Sequence, residues 1–81
     1  MTDTTFIVIK VPGEDYYERT GSYAVAVGLA ERHGGHRTGG GTCLITGMSD
    51  IDIKVPTARL AGLITALDDA GLSYQSFDES D

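Results

Sequence analysis

Between Asp50 and Gly71 the apolar residues change their period once, and that change limits what the chain can fold into more than any other feature. Ile51, Ile53 and Val55 alternate with Asp50, Asp52 and Lys54, the period of two that gives a strand one buried and one solvated face. After Pro56-Thr57 the spacing shifts, and Leu60, Leu63, Ile64 and Leu67 fall at i, i+3, i+4 and i+7, the stripe of an amphipathic helix. Thr57 stands where an N-cap belongs and Gly71 where a helix is followed by its C′ glycine. A one-sided strand running into a one-sided helix buries both only if the helix folds back over a sheet.

The preceding residues supply the same unit a first time. Phe6–Val11 is a β-branched run stopped by Pro12-Gly13, a strand followed by a turn. Gly13 to Gly21 is a polar and aromatic connection with room for a helical turn. Ser22 is a candidate N-cap for a helix over Tyr23–His33 that closes on Gly34-Gly35. Tyr23, Val25, Val27 and Leu29 also alternate as a strand would, but Tyr23, Ala26, Val27 and Ala30 keep helical spacing. The alanine content and the charged Glu31-Arg32 end favour the helix. Gly39-Gly40-Gly41 then leads, through an expected bulge or bend, into a strand over Thr42–Thr46, and Gly47-Met48-Ser49 is a short turn. Leu72–Phe77 reads as a last strand and Asp78–Asp81 as a solvated acidic tail.

The predicted architecture is α+β, a ferredoxin-like βαββαβ sandwich over residues 1–81 as one domain. Its four-stranded antiparallel sheet has the order 4-1-3-2, with two helices on one face. The expected core is Ile7, Ile9, Val11, Ile51, Ile53, Val55, Leu60, Leu63, Ile64 and Leu67. The uncovered sheet face would show Phe6, Val8 and Lys10 beside Asp50, Asp52 and Lys54, with Leu44 and Phe77 adding apolar area for docking.

Charge narrows the function. Twelve Asp and Glu against six Lys and Arg give a net charge of −6, which repels phosphate backbones and attracts basic surfaces. Direct nucleic-acid binding is therefore not expected. No apolar run approaches the roughly 20 residues that cross a bilayer, and Met-Thr-Asp-Thr-Thr lacks the basic start of a signal peptide. A cytoplasmic protein without a membrane partner is the expectation. One cysteine, Cys43, permits neither an internal disulfide nor a cysteine-based zinc site.

The catalytic signals are thin. Cys43 falls in the predicted apolar strand, where a thiol is a small core residue. His33 and His36 are three residues apart with nothing to complete a tetrahedron, and His33 suits the negative end of a helix. The glycine run feeds a strand rather than a helix and lacks a following Lys-Ser/Thr, so it is no phosphate cradle. Asp50 and Asp52 lie about 7 Å apart on a wet face and read as charged surface rather than as an acid–base pair. No enzyme, cofactor or metal is expected. The suggestive stretch is Glu14-Asp15-Tyr16-Tyr17-Glu18, two tyrosines among three carboxylates, a composition suited to a protein interface. Arg19, Arg37 and Lys54 are the cations placed to neutralise such a field.

Two resemblances bear on these residues. Val11-Pro12-Gly13 resembles the first-loop signature of ACT-like regulatory domains, although Glu14-Asp15-Tyr16-Tyr17 departs from it. That likeness implies a small-molecule-binding module, homodimeric through an edge strand or the open face. In length, acidity and lack of catalytic residues the chain is similar to small phage-encoded anti-CRISPR proteins. This second resemblance implies a protein that inhibits a Cas complex by covering a basic nucleic-acid-binding surface; the expected state of the chain itself is a monomer or weak homodimer. Glu14, Asp15, Tyr16, Tyr17 and Glu18, or Asp50 and Asp52, would then meet the lysines and arginines that hold DNA.

Overall fold

The computed structural model describes residues 3–78. In chain order the elements are β1 (Thr4–Pro12), α1 (Gly13–Glu18), α2 (Gly21–Arg32), β2 (His36–Thr42), β3 (Met48–Pro56), α3 (Thr57–Asp69) and β4 (Ser73–Asp78). The sheet is antiparallel, with the order β2-β3-β1-β4, which read from its other edge is 4-1-3-2. The expected two helices are three. The polar connection after β1 closes into a six-residue helix, α1, instead of a single turn.

The two central strands carry the fold. β1 and β3 pair without a slip from Thr4↔Pro56 to Pro12↔Met48. Directly opposed residues share a face, so Ile7, Ile9 and Val11 meet Ile53, Ile51 and Ser49 on one side. Ile7, Ile9, Val11, Ile51 and Ile53 have no solvent exposure, nor do Leu63 and Leu67 of α3 or Ala26 and Ala30 of α2. Removing an isoleucine or leucine side chain from water contributes about 1.5–3 kcal/mol, so this layer dominates stability. Leu60 and Ile64 pack against the core but are only partly buried. α2 is a helix as its spacing predicts, with Ala26 and Ala30 one turn apart and fully buried, and their small side chains let it lie close to the sheet.

Polar groups inside this layer are partnered. Thr5 is buried and its Oγ1 lies 2.8 Å from Thr57 Oγ1, while buried Ser49 shares a 2.8 Å hydrogen bond with Thr42. Thr57 is therefore not the N-cap expected of it. It is the first residue of α3, preceded by Pro56, and its hydroxyl ties the helix start to β1. Ser22 is not an N-cap either, because α2 begins at Gly21 and Thr20 holds the capping position.

Both long helices stop as the glycines imply. In α3 the Gly71 amide donates to Asp68 and the Leu72 amide to Leu67, with Gly71 at φ +73°. In α2 the Gly34 amide donates to Glu31 and the Gly35 amide to Ala30, with Gly34 at φ +78°. Each pair of bonds is a Schellman closure, which satisfies the last carbonyls and needs a left-handed residue after the helix.

The second strand departs from expectation. β2 contains the glycine run, and Thr42 is its last residue; Cys43–Gly47 forms a hairpin loop rather than a strand. The loop closes where the Cys43 amide donates to Met48 and the Gly47 amide to Cys43, with Gly47 at φ +73°. A five-residue hairpin loop containing a left-handed glycine is favoured geometry, and the apolar character of Leu44 and Ile45 yields to it. β2 is an edge strand held by backbone bonds to β3, so it does not require side chains to pack. Its irregularity falls between Arg37 and Gly39. β4 is shifted by one residue from the Leu72–Phe77 reading; the side chain of Phe77 and residues 79–81, most of the expected acidic tail, lie outside the described residues.

Gly28 lies inside α2, and a Cβ built on it meets nothing within 4 Å. Gly28→Ala removes the backbone-entropy penalty of an interior glycine without a clash. It is expected to raise the unfolding free energy by about 0.5–1 kcal/mol, measured by urea denaturation.

Candidate functional site

α1 stands on the helix-bearing side of the sheet. Gly40 is opposed to Ile51, so its missing Cβ would point toward the helices. A Cβ there would lie 2.8 Å from the Tyr16 hydroxyl and 2.6 Å from the Asp50 carbonyl oxygen. Glycine in β2 is thus what lets Tyr16 lie across the strand. The Tyr16 ring meets Tyr23 edge-on at 5.4 Å and Tyr17 edge-on at 5.7 Å. Arg37 Nη2 donates a 2.7 Å hydrogen bond to the Tyr16 hydroxyl.

Asp15 has a structural task. Its Oδ2 accepts a 3.0 Å hydrogen bond from the Ser22 amide, so the carboxylate caps the N-terminus of α2 from the preceding helix. Gly21, at φ +54°, leaves room for it, since a Cβ would fall 2.7 Å from Asp15 Oδ2. Glu14, Tyr17 and Glu18 are exposed, Tyr17 to 69%.

Asp50 and Asp52 lie on the opposite face of the sheet. Cross-strand partners there are Phe6↔Lys54, Val8↔Asp52 and Lys10↔Asp50. Lys10 Nζ sits 3.5 Å from Asp50 Oδ1 with both side chains about half exposed, a pair that contributes at most about 1 kcal/mol. Lys54 Nζ lies over the Phe6 ring at 5.6 Å. The seven residues singled out in the sequence therefore form two groups, Glu14 to Glu18 beside the helices and Asp50 with Asp52 on the uncovered face. The fold does not bring them into one field.

Two features escaped the sequence. Leu44 and Ile45 are 93% and 94% exposed at the tip of the β2–β3 hairpin, not part of a core strand or the sheet face. Cys43 beside them is exposed as well, which overturns its reading as a small core residue. Its thiol pKa is lowered by the Thr46 side chain and by the backbone amides of Thr46 and Ile45, with desolvation and then the Asp50 charge opposing the shift. The signal available was Gly47, whose role in closing the loop requires a left-handed residue. The second feature is a recess of about 120 Å³ lined by Tyr16, Tyr17, Arg19, Tyr23 and Arg37. No local pattern joins those positions.

His33 and His36 do not form a site. His33 Nδ1 donates to the Leu29 carbonyl at 2.8 Å, and its ring packs where α3 has Gly62. Among the described residues no group of three or more His, Cys, Asp or Glu is placed to hold a metal ion. No helix among them is long and apolar enough to cross a membrane. No protein-family model and no curated protein matches the chain.

Asp15→Ala removes the cap on α2 and should destabilise the protein by about 1 kcal/mol, measured by chemical denaturation. Glu14→Lys and Glu18→Lys, at exposed positions without such a bond, should leave stability within about 0.5 kcal/mol of the parent.

Proposed function

We propose that this protein is a non-enzymatic binding domain that seats the Leu44–Ile45 hairpin tip in an apolar pocket of a partner protein with a basic surround. The observation that carries this reading is the near-complete exposure of two large aliphatic side chains side by side on a closed loop. Such a tip adds nothing to the core, and large apolar anchors entering a pocket dominate the energetics of interfaces. The net charge of −6 selects the surround, because it speeds encounter with cationic surfaces and opposes encounter with nucleic acid. An inhibitor that covers a nucleic-acid-binding surface, as the anti-CRISPR resemblance implies for a Cas complex, fits this description. We read the architecture as ferredoxin-like with α1 inserted after β1. Supporting this are the strand order and the positions of α2 between β1 and β2 and of α3 between β3 and β4. A cytoplasmic setting suits an exposed thiol with a lowered pKa, which a reducing compartment protects.

The test starts from affinity capture of a partner from cell lysate, followed by binding measurements with the purified pair. Leu44→Asp with Ile45→Asp should leave the melting temperature unchanged and weaken binding by about 30-fold or more. Partner binding should also slow alkylation of the exposed Cys43 by iodoacetamide relative to the free protein. Glu14→Lys with Glu18→Lys should lower the association rate at low salt and leave dissociation unchanged. A doubly substituted tip that binds its partner as tightly as the parent refutes the anchor.

A further inference from the structure

We propose that the recess lined by Tyr16, Tyr17, Arg19, Tyr23 and Arg37 binds a tetrahedral oxyanion, the phosphate of a small ligand. The inference is independent of the hairpin tip. It rests on where the charges are. In a chain with twelve carboxylates and six lysines and arginines, two arginines line one small cavity, and the guanidinium of Arg37 is fixed there against Tyr16. Among the described residues neither of them forms an ion pair with a carboxylate. The ion pair between Lys10 and Asp50 lies on the far face of the sheet.

Arg37 is held for this purpose. One of its nitrogens donates to the Tyr16 hydroxyl at 2.7 Å, which restrains the side chain and leaves most of its five N–H groups free for an acceptor. Arg19 makes no side-chain hydrogen bond or ion pair with any described residue, and it lines the recess from the C-cap position of α1. Three tyrosines complete the wall, with the Tyr16 ring edge-on to both Tyr17 and Tyr23. The volume, about 120 Å³, is well below the roughly 300–1,000 Å³ of pockets that enclose drug-sized molecules. It suits a compact anion rather than a whole cofactor. An ester carrying a ring would place that ring outside the recess, against the exposed face of Tyr17. Two guanidinium forks offer a phosphate more donors than a carboxylate can accept, so phosphate is favoured over carboxylate.

The test is an amide chemical-shift titration of the full chain at constant ionic strength with inorganic phosphate, phenyl phosphate and acetate. Phosphate should give saturable shifts confined to residues from Tyr16 to Tyr23 and around Arg37. Phenyl phosphate binding more tightly than inorganic phosphate identifies the ligand as an aryl or nucleoside ester; equal affinity identifies the free ion. Arg19→Gly should weaken phosphate binding about tenfold or more. The same change should leave the melting temperature equal or higher, since Arg19 sits at φ 59°, where glycine is unstrained. Arg59→Gln, on the exposed side of α3, should change neither quantity. Linear, non-saturating shifts with phosphate, shifts as large with acetate, or full affinity in Arg19→Gly would each overturn the proposal.

Discussion

The unbroken register between β1 and β3 is the constraint on which the other features of this small domain depend. Because it runs from Thr4↔Pro56 to Pro12↔Met48, every odd-numbered residue from Thr5 to Val11 and from Ser49 to Val55 points to the helices. A one-residue slip of β1 would turn its inward side chains to solvent and bring Lys10 into the core, and the same slip of β3 would bring in Asp50, Asp52 and Lys54. The edge strands, α2 and α3 are arranged around that pair. β2 is then free to be glycine-rich, since its place is set by backbone bonds to β3 rather than by burial of its own side chains.

From this edge follows the character of the surface beside it. Glycine at position 40 allows a helix absent from a minimal two-helix arrangement to lay Tyr16 across the sheet, and the ring gathers Tyr17, Tyr23 and Arg37 around it. The carboxylate of Asp15, which reads in the sequence as part of an acidic patch, is drawn inward to cap α2. The region is acidic in composition but has an arginine-lined recess in structure. Counting charges along a segment does not reveal this, because each carboxylate is placed by the hydrogen bond it can make.

The two faces of the sheet divide the remaining polar groups. On the uncovered side, cations and carboxylates alternate with Phe6 and Val8 in cross-strand pairs, and the charges there are matched locally. On the helix side, hydroxyl pairs hold α3 to β1 and β2 to β3 without introducing a charge into the core. Among the described residues the most exposed large apolar side chains are Leu44 and Ile45 at the hairpin tip. The tip projects from the end of the sheet nearest α1, where the Gly13 amide donates to the Gly47 carbonyl at 2.8 Å.

The sequence alone determined the central strands, the inward set of β-branched residues, both long helices and the glycines that end them. Each of these is encoded in a local period or a single backbone conformation, and tertiary contacts merely accept it. What the tertiary structure decided was everything at the β2 edge. Gly39-Gly40-Gly41 became strand and Cys43-Leu44-Ile45-Thr46 became loop, because pairing with β3 and the left-handed turn at Gly47 outweigh strand propensity in an edge with no core to fill. Tyr16, Arg19 and Arg37 came together for the same reason. Their meeting depends on a glycine in one strand leaving room for a ring carried by a distant helix, a relation between surfaces that no spacing along the chain contains.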